Sequence, residues 1–376
     1  MIRIDHVELH RVRLPLIRPF RTSSAYRTHI EHILIHLMDS DGADGWGEIA
    51  TAIDPFYNAE TTQTAWHLAE EFLCPMILGK SWTNPEEFRN LYQKVKGNRF
   101  AKSGLEMAAW DLLGKKAGVS VASMLGGVRD RVDVGVSLGI EKEIPELISQ
   151  VEKYVSEGYR RVKLKIAPGW DIQAVEAVRS QWPDLPLQVD ANSAYTLKDM
   201  EVFQTLDQFG LLLIEQPLAD DDIVDHAQLQ QRLKTPVCLD ESLHHLDDVR
   251  KALQLNSCGV VNIKVSRVGG LQESKAIHDY CADREVPVWC GGMHEFGIGR
   301  AANLAIASLP GFTLPGDTSG SDKYWVEDVI EPPITVENGT ARVPTEPGLG
   351  VNLVLERVEN QRVQHSQLTC HNRVVS

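Results

Sequence analysis

The sequence lacks the features of a membrane protein or of a disulfide-stabilised secreted domain. No apolar run approaches the roughly 18 residues that a helix needs to cross a bilayer. The N-terminal residues alternate between apolar and polar side chains, which predicts a strand rather than a signal peptide. The six cysteines are scattered, and because none forms a Cys-x-x-Cys pair they indicate neither a zinc site nor a disulfide framework. We therefore expect reduced, structural cysteines and a cytoplasmic protein.

Positive charge is also scarce. Lys and Arg together number 38 against 52 for Asp and Glu, which gives a formal net charge of −14. Nucleic acids and anionic membranes bind to clustered cations, so this balance argues against partners of either kind. A small anionic substrate is still compatible with it, because a single site can be positive in an acidic protein.

The middle of the chain repeats a strand followed by a helix at nearly constant spacing. The strand-like runs are 134–140, 161–166, 187–190, 211–215, 237–240, 260–265, 288–290 and 312–314. Between them apolar residues recur at helical spacing, as at Ile144, Leu147 and Val151, with Gly158 as a helix stop. Such alternation predicts a parallel sheet, and eight strands predict closure into a barrel. An open doubly wound sheet is disfavoured because no Gly-x-Gly-x-x-Gly follows an early strand.

The length requires more than this barrel. The chain has 376 residues, whereas a (β/α)8 barrel takes about 250. Residues 1–128 show strand-like alternation followed by helical stretches, and we interpret them as an α+β capping domain. We assign residues 129–325 to the barrel and 326–376 to a proline-containing segment that returns to the cap, with a frayed end over 363–376.

Charged residues stand near the ends of five consecutive predicted strands. Lys163 and Lys165 share one face of their strand, and the alternating apolar residues should face the helices, so both lysines point into the barrel. The strands that follow carry Asp190, Glu215, Asp240 and Lys264. In a barrel these positions converge on the mouth where active sites form.

Two interpretations explain why three acidic residues stand on adjacent strands with lysine-bearing strands at either side. A structural network of ion pairs is one, although burying unpaired charges costs several kcal/mol per ion. A divalent cation among the acids is the other, and it would offset that cost. Oxygen ligands without His or Cys favour Mg²⁺, for which Mn²⁺ could substitute.

This arrangement suits removal of a proton next to a carboxylate group. Such a carbon acid is weak, so the negative charge that forms must be neutralised, and a metal ion does this. A lysine acting as base needs its pKa lowered from about 10.4 to about 7–8. A neighbouring cation lowers it, so we expect Lys163 to act on Lys165. Arg267 either acts on Lys264 in the same way or lies in a solvated loop. The site as a whole would attract a small anionic carboxylate substrate.

Specific motifs give the chain a resemblance to a known family. They include RVKLKIAPGWD, LQVDANSAYTL, LLLIEQPL, NIKVSRVGG, PVWCGGM and FTLPGDTS. Over nearly the whole chain these motifs resemble the enolase superfamily, in its muconate-lactonizing subgroup. Within that subgroup they are similar to the branch of o-succinylbenzoate synthases and N-succinylamino acid racemases. A lysine base paired with Mg²⁺ is already known as an arrangement of enolase-superfamily sites.

The resemblance implies an α/β fold, a modified (β/α)7β TIM-type barrel with an α+β capping domain. It also implies that Asp190, Glu215 and Asp240 bind Mg²⁺. Lys165 would remove the α-proton and, in the synthase reaction, protonate the leaving hydroxyl to give a syn-dehydration in menaquinone biosynthesis. Lys264 would stabilise the enediolate, or exchange the proton in racemisation.

The resemblance further assigns residues that contact the substrate. Lys163 would contact its carboxylate, Ser137 would line the pocket, and Gly292 and Met293 would offer backbone groups at the rim. Ser137 could equally be a core hydroxyl bonded to backbone. His294 departs from the family pattern, and it is either a surface side chain or a contact for the distal end of the substrate. The family also implies a homo-oligomer.

Other functions remain open from the sequence. A dipeptide epimerase should carry two acids after strand eight, where only Asp317 stands, and a muconate cycloisomerase fits the local motifs less well. A Schiff-base aldolase would need one buried lysine and no acidic triad. A barrel that only binds a metal as a scaffold is the alternative without catalysis. Whether the synthase or the racemase reaction is the physiological one, and which acyl and amino-acid groups are preferred, the sequence leaves undecided.

Overall fold

Long antiparallel strands form the sheet of the cap. The computed structural model describes residues 1–370. Strand β1 (Ile2–Arg21) pairs with β2 (Tyr26–Asp39), and β2 pairs with β3 (Asp44–Ile49). The predicted N-terminal alternation is seen in β1, which buries Ile2, Ile4, Val7 and Leu9. One face of the sheet therefore packs on the core.

Helices cover that face. They are α1 (Thr62–Leu68), a π-helical turn (Ala69–Leu73), α2 (Cys74–Ile77), α3 (Pro85–Asn90) and α4 (Arg99–Ala117), with a short strand β4 (Ser81–Trp82) pairing with β1. Helix α5 (Val121–Leu125) follows, and its buried residues pack with those of the barrel. Helix α4 lies unusually close to β3. A Cβ atom on Gly47 would overlap the carbonyl oxygen of Gly104, so only glycine permits this approach.

The repeating middle of the chain folds as alternating strands and helices. After β5 (Arg131–Asp133), the strands are β6 (Val136–Leu138), β7 (Val162–Lys165), β8 (Leu187–Asp190), β9 (Ile214–Glu215), β10 (Val237–Leu239), β11 (Val260–Ile263) and β12 (Val288–Cys290). The helices are α6 (Ile144–Ser156), α7 (Ile172–Gln181), α8 (Met200–Leu206), α9 (Val224–Gln230), α10 (Leu246–Gln254), α11 (Val265–Val268), α12 (Leu271–Ala282) and α13 (Gly297–Ala307). Strands β6 to β12 are parallel neighbours in chain order. Gly158, with φ of +83°, follows the end of α6 as predicted.

The eighth predicted strand, 312–314, is not a regular strand. Its segment touches both edges of the sheet instead, through single bridges of Phe312 to Val288 and of Gly316 to Val134. Pro315 has no N–H to donate, which explains why a longer ladder does not form here. The two bridges complete the ring of strands, and the prediction of an α/β barrel with an α+β cap is confirmed.

The C-terminal segment contacts both bodies. It contains β13 (Ile330–Glu331), β14 (Val336–Glu337), β15 (Thr340–Arg342), β16 (Asn352–Leu353), α14 (Leu355–Gln361) and β17 (Arg362–Thr369). Strand β15 pairs with β5 at the barrel, and β17 pairs with β1 in the cap. The expectation of a frayed end is wrong for β17, because an edge strand is held by main-chain hydrogen bonds that need no apolar pattern. The same expectation covered residues 371–376, which lie outside the described part of the chain.

One apolar cluster joins cap and barrel, and the cap has a second cluster of its own. The larger cluster of buried residues joins Val12, Leu34 and Met107 of the cap to Val162 and Leu164 of the barrel. None of the helices within residues 1–370 is both long and apolar enough to cross a membrane.

We predict that Gly47→Ala destabilises the protein by about 3 kcal/mol or more, because the new methyl group meets backbone atoms of α4 that cannot move independently. Urea unfolding measures the change. Gly42→Ala is the control, since a Cβ there meets nothing within 4 Å and its φ of +84° leaves only a backbone strain of about 1 kcal/mol. Equal losses of stability in the two variants would contradict the close-packing interpretation.

Candidate active site

Strand β7 presents its two lysines to the inside of the barrel. Its apolar residues, Val162 and Leu164, belong to the large apolar cluster, as the alternation predicted. Lys163 and Lys165 are buried, with exposed fractions of 2% and 8%. Burial of two ammonium groups on one strand requires carboxylates nearby.

The neighbouring strands supply those carboxylates. Lys165 lies opposite Asp190 in the register of β7 and β8, and Asp190 lies opposite Glu215 in that of β8 and β9. Asp240 directly follows β10. The three acids are at most 1% exposed. The strand ends therefore bring together the acids and lysines that the sequence singled out.

Lys163 is the most enclosed of the three lysines. Its Nζ donates to Asp317 Oδ2 at 2.6 Å and to Glu215 Oε2 at 3.1 Å, and it lies 4.8 Å from the centre of the Trp289 ring. Arg161 donates to the other oxygen of Asp317 at 2.8 Å. Burial acts to lower the pKa of Lys163, but the carboxylates, Asp317 foremost, hold it above its usual value. Lys163 is thus a fixed positive charge.

Lys165 has different partners. Its Nζ donates to Asp190 Oδ2 at 2.6 Å and to Asn192 Oδ1 at 2.7 Å. Asn192 has a φ of +44°, a conformation that asparagine tolerates better than most residues. Its amide donates in turn to Glu241 Oε1 at 2.8 Å. A side-chain bridge therefore joins Lys165 to the acid that follows Asp240.

Lys264 lies across the barrel on the residue after β11. Its Nζ donates to Asp240 Oδ2 at 2.7 Å and to the hydroxyl of Tyr57, a cap residue, at 3.0 Å. Arg267 donates to Asp240 Oδ1. The first alternative for Arg267, that it lowers the pKa of Lys264, is wrong. Burial does act to lower that pKa, but Asp240, which Arg267 shares, raises it well above the usual value.

The acids of the site differ in their affinity for protons. Burial and the charge of Asp190 raise the pKa of Glu215 to about 8. Burial opposes ionisation of Asp190 and Asp240 as well, yet Lys165 lowers the pKa of Asp190 and Lys264 lowers that of Asp240. Of the three acids predicted to bind a metal, Glu215 is therefore the one that holds a proton most readily.

A cleft of about 740 Å³, open mouth included, lies between cap and barrel. Lys165, Lys264, Gly292, Met293 and His294 line it from the barrel side. The cap contributes residues from two segments: Phe20, Thr22, Ser24, Ala25 and Arg27 from one, and Ala52, Ile53, Phe56 and Tyr57 from the other. The aromatic side chains of the cap give one wall an apolar surface.

Three residues of the rim differ from or refine the expectations. His294 is not a surface side chain, since it lines the cleft between the rings of Phe20 and Tyr324, with centroids 4.7 and 5.2 Å away. The N–H of Met293 already donates to Glu295 at 2.9 Å, so it is not a free donor at the rim. Ser137 lines an adjoining cavity that shares Lys165 and Lys264 with the cleft, and within residues 1–370 its hydroxyl has no partner.

The donor set fits a hard divalent cation. Asp190, Glu215 and Asp240 offer oxygen atoms only, which Mg²⁺ prefers. Burial and the charge of Asp190 raise the pKa of Glu215, and a cation bound beside it would favour its ionised form. Glu241 adds a buried carboxylate oxygen that has no partner within the described chain. The acids are bonded to lysines in this structure, so a cation would share or replace these bonds.

Several residues of the site were missed from sequence. Asn192 and Glu241 stand within two positions of predicted ligands, so their place after a strand was the available signal. Asp317 was noted only as a single acid, and its pairing with Lys163 spans 154 positions. Tyr57 was expected in a cap loop that closes over the pocket, but its bond to Lys264 was missed, because nothing in its local sequence links the two residues.

Comparisons with known proteins find relatives over nearly the whole chain. A family model for the N-terminal domain of mandelate racemase and muconate lactonizing enzyme matches residues 6–126, and one described as enolase C-terminal domain-like matches residues 146–358. The chain is 50% identical to an o-succinylbenzoate synthase of Geobacillus kaustophilus, covering 95% of this chain and 96% of that one. It is 46% identical to an N-succinylamino acid racemase of Amycolatopsis, covering 95% and 97%. A solved enolase-superfamily structure from Listeria innocua has a TM-score of 0.95 at 40% identity, covering 98% and 100%.

We predict that the stability of the metal-free protein falls as pH rises from about 5 to about 8, and that Glu215→Gln reduces this fall by at least about 1 kcal/mol. A raised pKa means that the folded chain holds a proton which the unfolded chain has lost, so stability is lost as pH rises through the folded value of about 8. Urea unfolding at the two pH values, with a chelator present, measures it.

The exposed Glu201→Gln is the matched control, and its pH dependence should follow that of the unaltered chain. An identical fall in Glu215→Gln and the unaltered protein would show that Glu215 is ionised throughout this range.

Proposed function

The chain belongs to the enolase superfamily, in the o-succinylbenzoate synthase and N-succinylamino acid racemase branch of its muconate-lactonizing subgroup, and on that premise we propose that it removes a proton α to a carboxylate group. The substrate is a small carboxylate anion, which becomes an enediolate when it loses the proton. The enzyme then completes either a dehydration or a racemisation from that enediolate.

One observation carries the proposal: Lys165 and Lys264 line the same cleft from separate strands. Strands β8, β9 and β10, which bring Asp190, Glu215 and Asp240, lie between them in the sheet. A substrate bound over the acids would meet one amine on each side. Two amines on opposite sides of one carbon are what removal and return of a proton require.

The role proposed for the three acids in the reaction is electrostatic. Asp190, Glu215 and Asp240 would hold Mg²⁺, or Mn²⁺ in its place, which when bound would neutralise the negative charge developing on the substrate carboxylate. Asp240 is already ionised at neutral pH, because Lys264 lowers its pKa. Asp190, held by Lys165, has a lowered pKa as well.

The lysines have separate roles. Lys165 removes the α-proton, and in the dehydration it passes a proton to the leaving hydroxyl on the same side. Lys264, kept positive by Asp240, stabilises the enediolate from the other side. In racemisation Lys264 delivers or takes the proton at its own side. Lys163 is a fixed positive charge that attracts the substrate carboxylate.

We propose o-succinylbenzoate synthase and N-succinylamino acid racemase activities together. Relatives with each name share 46–50% identity with the chain over nearly its whole length. Ser137, with its free hydroxyl within the described chain, and His294 would contact the substrate away from the reacting carbon. A dipeptide epimerase is disfavoured, because Asp317 is engaged by Lys163 and Arg161 and cannot also hold a substrate ammonium group.

The setting of the enzyme is part of the proposal. The cysteines in the described chain are all free thiols, five of them buried, which supports the reducing conditions of the cytoplasm. A role in menaquinone biosynthesis follows from the proposed o-succinylbenzoate synthase activity. The family resemblance supports a homo-oligomer.

We predict that Lys165→Ala loses at least about 1,000-fold in both dehydration and racemisation, the size of a lost general base. Lys264→Ala should lose as much in racemisation. The assays use the cyclohexadiene precursor of o-succinylbenzoate and the two enantiomers of an N-succinyl amino acid. Lys234→Ala, on the exposed surface, is the control.

Deuterium exchange sharpens this test. In D₂O each lysine variant should still exchange the α-proton of one enantiomer, and the two variants should differ in which enantiomer that is. Racemase turnover retained in both variants would eliminate the two-base scheme.

We predict that a chelator lowers both activities by at least about 100-fold, and that excess Mg²⁺ or Mn²⁺ restores them, because the charge on the substrate carboxylate is otherwise uncompensated. Asp190→Asn and Asp240→Asn should recover little on addition of metal. Asp247→Asn, an exposed acid outside the cleft, is the control. Full activity in the metal-free protein would contradict the assignment of the carboxylates.

A further inference from the structure

A second group of metal-ligating side chains lies on the cap sheet, away from the cleft. Glu8 and His10 alternate along β1 and share a face. His36 lies opposite Glu8 on β2, and His365 lies opposite His10 on β17. Three strands thus place one carboxylate and three imidazoles on one patch, which we call the cap histidine cluster.

The nitrogen atoms of this cluster face a single oxygen atom. Glu8 Oε2 lies 3.1 Å from His10 Nε2, 3.8 Å from His36 Nδ1 and 3.9 Å from His365 Nε2. In a tetrahedral zinc site, with bonds of about 2.0–2.1 Å, ligand atoms stand about 3.3 Å apart. Small side-chain rotations would bring the observed separations to that value.

The ligand atoms also lie close to one another, not only to Glu8. Those of Glu8, His10 and His365 are all within 4.8 Å of each other, and residues 1–370 contain no other such group. His10 is buried and His365 reaches the surface, so an ion could enter from solvent.

His36 is oriented as a metal ligand. Its Nε2 donates to Asp44 Oδ2 at 3.0 Å, which leaves Nδ1 of the neutral ring with a lone pair facing Glu8. A carboxylate bonded to the far nitrogen of a ligating histidine is the usual arrangement at zinc sites. Trp46 stacks on His36 with ring centroids 4.0 Å apart and fixes its plane.

His10 supplies a neutral ring. Burial, with the nearby His365, lowers its pKa to about 4. Arg362 donates to His10 Nδ1 at 3.3 Å, which places the ring proton on Nε2. Ligation through Nε2 requires this proton to move to Nδ1, and Arg362, which is half-buried, then has to turn away.

We propose that Glu8, His10, His36 and His365 form a site for Zn²⁺ or a similar transition-metal ion. Mixed imidazole and carboxylate ligands favour such an ion over Mg²⁺. The bound ion would tie the C-terminal strand β17 to β1 and β2. This site is separate from the cleft, and the inference is independent of the function proposed above.

Titration with Co²⁺ tests the site, because tetrahedral Co²⁺ absorbs strongly in the visible range. The full chain, without a histidine tag, is titrated in excess Mg²⁺ so that the acids at the barrel mouth are occupied. We expect one Co²⁺ per chain with such a band, displaced by Zn²⁺. Glu8→Gln and His365→Gln should weaken binding by at least about tenfold, the lower end of the losses seen on disturbing a metal site.

Two variants keep the test specific. His67→Gln, a histidine of the cap outside the cluster, and Asp240→Asn, at the barrel mouth, should keep the Co²⁺ band. Zn²⁺ should raise the melting temperature of the unaltered chain but not that of His365→Gln. His36→Gln replaces His365→Gln if circular dichroism shows the latter misfolded. Absence of the band, or an unchanged band in the cluster variants, would overturn the proposal.

Discussion

Mutual neutralisation of buried charges at the barrel mouth is the constraint on which the rest of this structure depends. Each buried ion costs several kcal/mol unless it is paired, and loss of one partner leaves the other uncompensated. Parallel strands in register solve this by bringing acids and cations to one end of the barrel. The acids are Asp190, Glu215, Asp240, Glu241 and Asp317, and the cations are Arg161, Lys163, Lys165, Lys264 and Arg267.

The same ion pairs allow the charged side chains of the site to change partners. Burial and the charge of Asp190 raise the pKa of Glu215 to about 8, so this acid takes up a proton where no cation is bound. Lys165 and Lys264 are held by side chains at the edge of an open cleft, whereas Lys163 is enclosed by Asp317 and Trp289. Lys165 and Lys264 can therefore exchange their ion-pair partners at a lower cost in free energy than Lys163 can. The cap contributes directly, because Tyr57 bonds both Lys264 and Asp240.

Local sequence patterns were sufficient to predict much of the candidate site. Alternation in β7 predicted that Lys163 and Lys165 face inward, since the pleat fixes sidedness whatever the partners are. The ends of the predicted strands likewise indicated where Asp190, Glu215 and Asp240 lie, because this too follows from strand geometry alone. Partners distant in the chain were not predictable: Tyr57 and Asp240 are 183 positions apart, and alternation indicates a face but not what it meets. The error about Arg267 has this origin, because its effect on Lys264 depends on the Asp240 between them.

Three carboxylates at neighbouring strand ends are proposed to hold one hard cation between two amines. A crystal structure of the protein grown with Mg²⁺ tests this most directly. We expect one density peak for an octahedral ion whose protein ligands are oxygen atoms of Asp190, Glu215 and Asp240. The Nζ atoms of Lys165 and Lys264 should lie on opposite sides of the adjoining cleft. An ordered mouth in which the three acids keep their lysine partners, with no density among them, would contradict it.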